Sequence, residues 1–319
     1  MLFRKLKTYS FIPAVILFLV FLILNSLLSP TFFTISSLSG FFATYAPLVV
    51  LAVGETFVLV GGGIDISLGA IVSVVNVLLV TLWGLHWSLP LAIVVSMLAG
   101  TAIGVVNGIL ISILKVTPLL ATFATSAMGY GAALWIMPTP GGSIATGFAN
   151  WYSSNYGWFP IAAIFIVLPY VIWAIWRGTR WGTYLFAVGK NEEKSFASGA
   201  PVVRVKMLSY VLAAFMASIA GVILTANIVS GDATIGSPDT LSAIAAPVIG
   251  GVSLLGGIGD AGGAIFGALF LGLVVNTVFA SQVSTFYQSL LTGSIILLGI
   301  VITTLIKRLT SMKLRKVVG

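Results

Sequence analysis

Three carboxylates stand inside or beside long apolar runs: Glu55, Asp65 and Asp260. An acid at membrane depth is costly to bury and marks a functional position by default. No Lys or Arg sits mid-run to pair with any of the three. Asp65 follows Gly61-Gly62-Gly63 and Asp260 follows Gly256-Gly257-Ile258-Gly259. Each therefore reads first as a helix cap at a glycine hinge, with its carboxylate on the free N–H groups of the helix that begins next. Glu55 lies within a run, one residue after Gly54, and reads as a polar-network or pathway residue. Asn76, Asn107, Thr122, Thr125 and Gln288 recur in similar runs. They are candidates to line a pathway, although the same residue types also bond helices to one another. A polar but uncharged lining suits a neutral, hydroxyl-rich solute better than an ion.

Other chemistries are excluded. His86 is the single histidine and there is no cysteine, so neither a histidine-based catalytic constellation nor a thiolate metal site can form. Gly189-Lys190 is the one Gly-Lys pair. Asn191 follows it, and Tyr184 stands where a phosphate loop needs its first glycine. The chain therefore carries no ATP site of its own. No bound cofactor, no metal and no nucleic-acid partner is expected.

The elements that position these residues follow from composition. Of 319 residues, 59% are hydrophobic and 7% charged. A soluble domain carries about 25% charged residues, and a chain this poor in charge could not cover its surface in water. The reading is an all-α, polytopic membrane protein: a single transmembrane domain over 1–319 with about ten transmembrane helices. The apolar stretches are Phe11–Leu28, Phe41–Val60, Ile64–Trp83, Leu89–Leu114, Pro118–Met137, Phe159–Trp176, Met207–Ile228, Leu241–Leu255, Ala261–Ala280 and Phe286–Ile306. The eighth is short, which predicts a tilted, broken or re-entrant segment. Gly100, Gly104 and Gly108 follow the small-xxx-small spacing that lets helices approach closely.

With ten spans and a cytoplasmic N-terminus, all fifteen Lys and Arg fall on the cytoplasmic side, as the positive-inside rule requires. Both termini are then cytoplasmic. The outer loops Pro138–Trp158 and Ser230–Thr240 are polar without being basic. Trp151, Tyr152, Tyr156 and Trp158 read as an outer interfacial belt, and Trp173, Trp176 and Trp181 as its inner counterpart. The sizeable cytoplasmic loop is 177–206. There Asn191-Glu192-Glu193 predicts the start of a helix of about two turns, and Gly199 with Pro201 its stop. Taken alone, this loop also fits a solvated segment that merely fixes topology.

Four ordered motifs carry a resemblance. GGGIDISLGA (Gly61–Ala70), NGILISILKVTPLLATFAT (Asn107–Thr125), FAVGKNEEKSFASGAPVVRVK and LSAIAAPVIGGVSLLGGIGDAGGAIFGALFLGLVVN (Leu241–Asn276) resemble signatures of the permease subunits of ribose-type monosaccharide ATP-binding-cassette importers. The match runs from the second span to the last. Lys190 departs from the family's usual glycine, Ala200 from its isoleucine, and Phe123-Ala124 from its Leu-Gly, which adds Phe123 to the pathway candidates.

The resemblance implies a bacterial inner-membrane permease that pairs with a second permease subunit, identical or sister. Two cytoplasmic ATP-binding subunits would hold the ATP and Mg, and an extracytoplasmic solute-binding protein would deliver a sugar or similar solute. It implies that Asn191, Glu192, Glu193 and Lys194 couple to the ATP-binding subunits. Two other classes stay open from the residues alone: an ion- or proton-coupled carrier using Glu55, and a non-transporting membrane scaffold.

Overall fold

The computed structural model describes residues 11–284, 286–288, 290–299 and 301. The expected basic termini (Arg4, Lys5, Lys7, and Lys307 to Lys316) and the end of the tenth stretch lie outside the described residues. The chain is a helical bundle. In order it runs α1 Ile12–Leu28, α2 Ile35–Val60, α3 Leu68–Gly84, α4 Leu89–Ser112, α5 Pro118–Ile136 and α6 Thr146–Ser153. A two-stranded hairpin follows, β1 Asn155–Tyr156 with β2 Phe159–Pro160, and then α7 Ile164–Arg177, α8 Arg180–Lys190 and α9 Glu192–Ala197. Then come α10 Val202–Ile228, α11 Ser237–Ile249, α12 Ala261–Ala280 and a last apolar stretch, α13 Phe286–Gly299.

Among the described residues, five helices (α2, α4, α5, α10 and α12) are long and apolar enough to cross a membrane. A sixth crossing is obtained if the 161–177 segment and α8, bent 85° apart, are taken together. This is a polytopic membrane protein. α2 is its axis: 89% of its most apolar window is buried, against 22% for α4. α10 packs on α2, α3 and α4, while α12 packs on α1, α2 and α11. The outward face of α4 carries Leu91, Val94 and Leu98, as a helix facing hydrocarbon does.

At the α4–α10 contact the glycine backbone of α4 lies against side chains of α10. A Cβ on Gly100 would meet the Ser218 hydroxyl, one on Gly104 would meet the Ala214 Cβ, and one on Gly108 would lie 3.0 Å from the Met207 Cγ. The four-residue glycine period therefore marks one face of α4 along its contact with α10.

Several expectations are corrected. The third stretch was expected from Ile64, but residues 64–67 are unwound and α3 begins at Leu68. The eighth, expected over Leu241–Leu255, is the 13-residue α11 and ends at Ile249. The segment from Ser230, expected as an outer loop, pairs through Gly231 with Gly141 of the other expected outer loop and then folds back on the bundle. It lies along α3: Asn76 holds the Ser230 carbonyl and the Asp232 N–H, and one turn away the Ser73 hydroxyl accepts the Gly236 N–H. Non-helical backbone at such a place is tolerated because α3 supplies its partners.

Two aromatics expected in interfacial belts are core residues. Tyr152 is fully buried and donates its hydroxyl to the Ala43 carbonyl at 2.8 Å. Trp173 packs edge-on to Phe57 with ring centroids 4.9 Å apart. In both cases a partner distant in sequence outweighs the preference of an aromatic for the interface.

Candidate functional site: a buried polar chain and a cationic end

The break between α2 and α3 is built by glycine. Gly62 has φ +82°, its N–H bonds the Leu59 carbonyl, and the Gly63 N–H reaches back to Val58. This is the Schellman ending, which needs a left-handed residue at its centre. The α11 helix ends in the same way, with Gly251 at φ +96° and the Val252 N–H on Pro247. The turn at Gly250-Gly251, ahead of the expected hinge at Gly256–Gly259, thus shares its local geometry with the hinge at Gly61–Gly63.

The first hinge turns the chain back against α2. Glu55 Oε1 accepts the Asp65 N–H at 3.1 Å. Asp65 Oδ1 accepts the Ser67 N–H at 2.8 Å and the Ser67 hydroxyl at 2.6 Å. Ser67 Oγ accepts Asn107 Nδ2 at 2.8 Å, and Asn107 Oδ1 accepts the Thr125 hydroxyl at 2.6 Å. The Thr122 hydroxyl donates to the Pro118 carbonyl at 2.9 Å.

One hydrogen-bonded chain therefore links α2, the break, α4 and α5 through fully buried Glu55, Asp65, Ser67 and Asn107. Among the described residues no cation pairs with Glu55 or Asp65, and Glu55 Oε2, Asp65 Oδ2 and Tyr210 Oη have no hydrogen-bond partner. Asp65 braces the turn before α3. It does not cap the helix's first turn, because Ser67 holds the cap position.

Other sequence candidates fall elsewhere. Asn76 is saturated by Thr225, Ser230 and Asp232, and ties α3 to the segment after α10. Phe123 lies on the opposite face of α5 from Thr122 and Thr125 and is 64% exposed. Gln288 donates to the Val283 carbonyl at 3.0 Å. Among the described residues no group of three acidic or histidine side chains forms a metal site.

Asp260 caps α12, accepting the Gly262 N–H at 2.9 Å. Its other oxygen takes the Arg177 guanidinium and, at 3.4 Å, the Trp173 indole N–H. The cation absent from its own span is thus supplied from the end of α7. Asp260→Ala is expected to lower stability in detergent by about 1–2 kcal/mol through the lost cap and pair, whereas Asp260→Asn, which still caps, costs less than half of that. Equal thermal unfolding of the two variants would refute a capping role.

The end of the bundle that holds Arg177 also gathers α8, α9 and the start of α10. After α7 the chain turns sharply, with the Thr179 hydroxyl accepting the Gly182 N–H. α8 buries Gly182, Leu185 and Val188 on one side. Its spacing of apolar residues was a legible signal for a helix, yet only the shorter α9 was expected. Asn191 caps α9, its side chain accepting the Lys194 N–H at 2.8 Å.

Glu192 turns inward. It pairs with Lys206 and, at 3.6 Å, with Lys115. The Lys206 hydrogen bond holds its carboxyl below the ordinary range. Glu193 and Lys194 are exposed. The sequence reading did not single out Phe196, which is 73% exposed beside buried Ser195.

Broken helices packed through backbone contacts and a short capped helix across a cationic end define a multi-pass transport permease. The chain belongs to the family described as branched-chain amino acid transport system / permease component, whose model matches residues 37–300. It is 32% identical to the ribose import permease protein RbsC of Escherichia coli K12, over 91% of this chain and 92% of that protein. It is 35% identical to RbsC of Bacillus subtilis strain 168, over 89% of each chain. It is 32% identical to the L-arabinose ABC transporter permease protein AraH of Azospirillum brasilense, over 90% of this chain and 85% of that one. No solved structure matches.

Proposed function

We propose that this chain is the permease subunit of an ATP-driven importer of a monosaccharide. The capped helix α9 carries the reading. It offers exposed Glu193, Lys194 and Phe196 while Asn191 and Glu192 fix it to the bundle. We place α9 on the cytoplasmic face, docked on one of two ATP-binding subunits that hold ATP and Mg.

The described cations Lys115, Arg177, Arg180, Lys190, Lys194, Arg204 and Lys206 all belong to this end of the chain's topology. That supports ten crossings with both termini cytoplasmic, α3 and α11 acting as broken spans. A second permease subunit and an extracytoplasmic solute-binding protein complete the assembly in the bacterial inner membrane. The single domain covers the whole chain, with 177–206 as its coupling loop.

We place the solute path along the accessible side of α5, where Phe123 and Tyr130 face outward from the buried chain. Tyr130 bonds Thr240 at 3.2 Å, and Asp239 precedes Thr240 in the first turn of α11. A carboxylate beside hydroxyls and aromatic rings is the set that grips a sugar: it accepts from the hydroxyls while the rings cover the apolar face. Glu55, Asn107, Thr122 and Thr125 stand one layer behind as the wall that fixes α5, with Asn76 and Gln288 farther away.

The test is reconstitution in liposomes with the cognate binding protein and ATP-binding subunits. ATP-dependent uptake of a pentose or hexose, unaffected by collapse of ion gradients, is expected. Uptake that needs an ion gradient but no ATP, or transport of a branched-chain amino acid instead of a sugar, would overturn the reading.

A further inference from the structure

Three glycine turns meet where the cationic end joins the two helix breaks. The Gly257 N–H, in the segment between α11 and α12, donates to the carbonyl of Val60, the last residue of α2, at 2.9 Å. Gly189, at the end of α8, is pressed against the same carbonyl: a Cβ there would overlap the Val60 oxygen and lie 2.7 Å from the Gly257 nitrogen. A Cβ on Gly256 would meet the Gly189 carbonyl at 2.5 Å and the Gly62 Cα at 2.8 Å. One on Gly257 would lie 2.9 Å from the Lys190 Cα. Backbone from α8, the first break and the second break is therefore in mutual contact with no side chain between.

The next residue after Lys190 is Asn191, the cap of α9. A joint made through side chains slips when a rotamer changes. A joint made of three backbones, one of them hydrogen-bonded to another, has no such freedom. We infer that this glycine knot makes α8–α9 and both helix breaks one rigid body, with Gly189 and Gly257 as its positioning residues.

A push on α9 then arrives at both breaks at once. From there it reaches the starts of α3 and α12. α3 and α11 are joined in turn where a Cβ on Gly69 would overlap both the Gly236 carbonyl and the Thr240 hydroxyl. The inference rests on the importer reading and assigns the route by which the ATP-driven step is transmitted.

Two measurements test it in the complete transporter. The chain contains no cysteine, so Ala187→Cys on α8 and Leu255→Cys in the second break, both exposed, accept spin labels at defined places. The distance between the labels is expected to be the same with and without trapped ATP. A shift between the two states would overturn the rigid-body inference without touching the knot.

In the second measurement, Gly189→Ala is expected to keep ATP hydrolysis while lowering solute moved per ATP by about tenfold. Gly40→Ala early in α2, where a Cβ meets nothing within 4 Å, should leave that ratio unchanged. A wild-type ratio in Gly189→Ala would also overturn the inference. If Gly189→Ala does not fold, the label distance decides alone. Absence of ATP-driven uptake by the unmodified assembly would overturn the importer reading itself, and it is distinguishable because hydrolysis and uptake are read separately.

Discussion

Phe196→Ala is expected to lower ATP-driven uptake by the reconstituted transporter about tenfold or more while leaving the thermal stability of the isolated permease unchanged. The side chain is 73% exposed, so its removal opens no cavity in this chain. Burying a phenylalanine in a partner's pocket is worth about 1.5–3 kcal/mol, and about 1.4 kcal/mol is a factor of ten in an association constant. α9 has six residues and is fixed by its Asn191 cap and by the inward pairs of Glu192, so the ring is presented at a defined place. Uptake and ATPase stimulation should fall together as the partner's affinity drops. Wild-type uptake at limiting partner concentration would remove Phe196 from the contact, and a lowered melting temperature would instead make it a packing residue.

Gly104→Val should be a strongly damaging change in the bundle interior. A Cβ alone would overlap the Ala214 Cβ and come within 2.7 Å of the Tyr210 carbonyl oxygen. Overpacking a tight core costs about 1–3 kcal/mol even where side chains yield, and here backbone is the obstacle. The helix forced away, α10, packs on α2 and α3 as well as α4, so the displacement does not stay local. We expect a loss of about 3 kcal/mol or more, read as a large fall in detergent melting temperature or as failure to accumulate in the membrane. Gly131→Val on α5, in open space, should change stability by less than about 0.5 kcal/mol. Similar behaviour of the two variants would show that the α4–α10 contact is looser than described.

The glycine period of α4 was legible because a four-residue spacing of small residues on an apolar helix has one physical use. The hinge glycines and the cap at Asp260 were legible for the same reason, being local signals within a few residues. What escaped the sequence depended on contacts far along the chain. Arg177 reaches Asp260 across 83 positions, and Tyr152 reaches Ala43 across 109.

The segment Ser230–Gly236 reads as an outer loop because it is polar, yet Asn76 and Ser73 draw it along α3. Its polarity answers to α3. Glu55, Asn107 and Thr125 were legible as important, but their joining into a single chain depended on the fold of the break between α2 and α3. Phe196 went unread because one aromatic among polar residues has no periodicity to reveal which way it faces.

The placement of Glu55 and Asp65 sets an order on biogenesis. α2 leaves the ribosome second among the helices, carrying a carboxylate that lipid will not accept. The groups that shelter it and its neighbour arrive later: Asn107 on α4, Thr125 on α5, and Tyr210 on α10, roughly 150 residues behind. Until α10 emerges, the acid-bearing hairpin has no finished interior to enter. A chain ending before α10 is therefore expected to leave two acids without their interior, read as faster proteolysis in the membrane than the full chain shows.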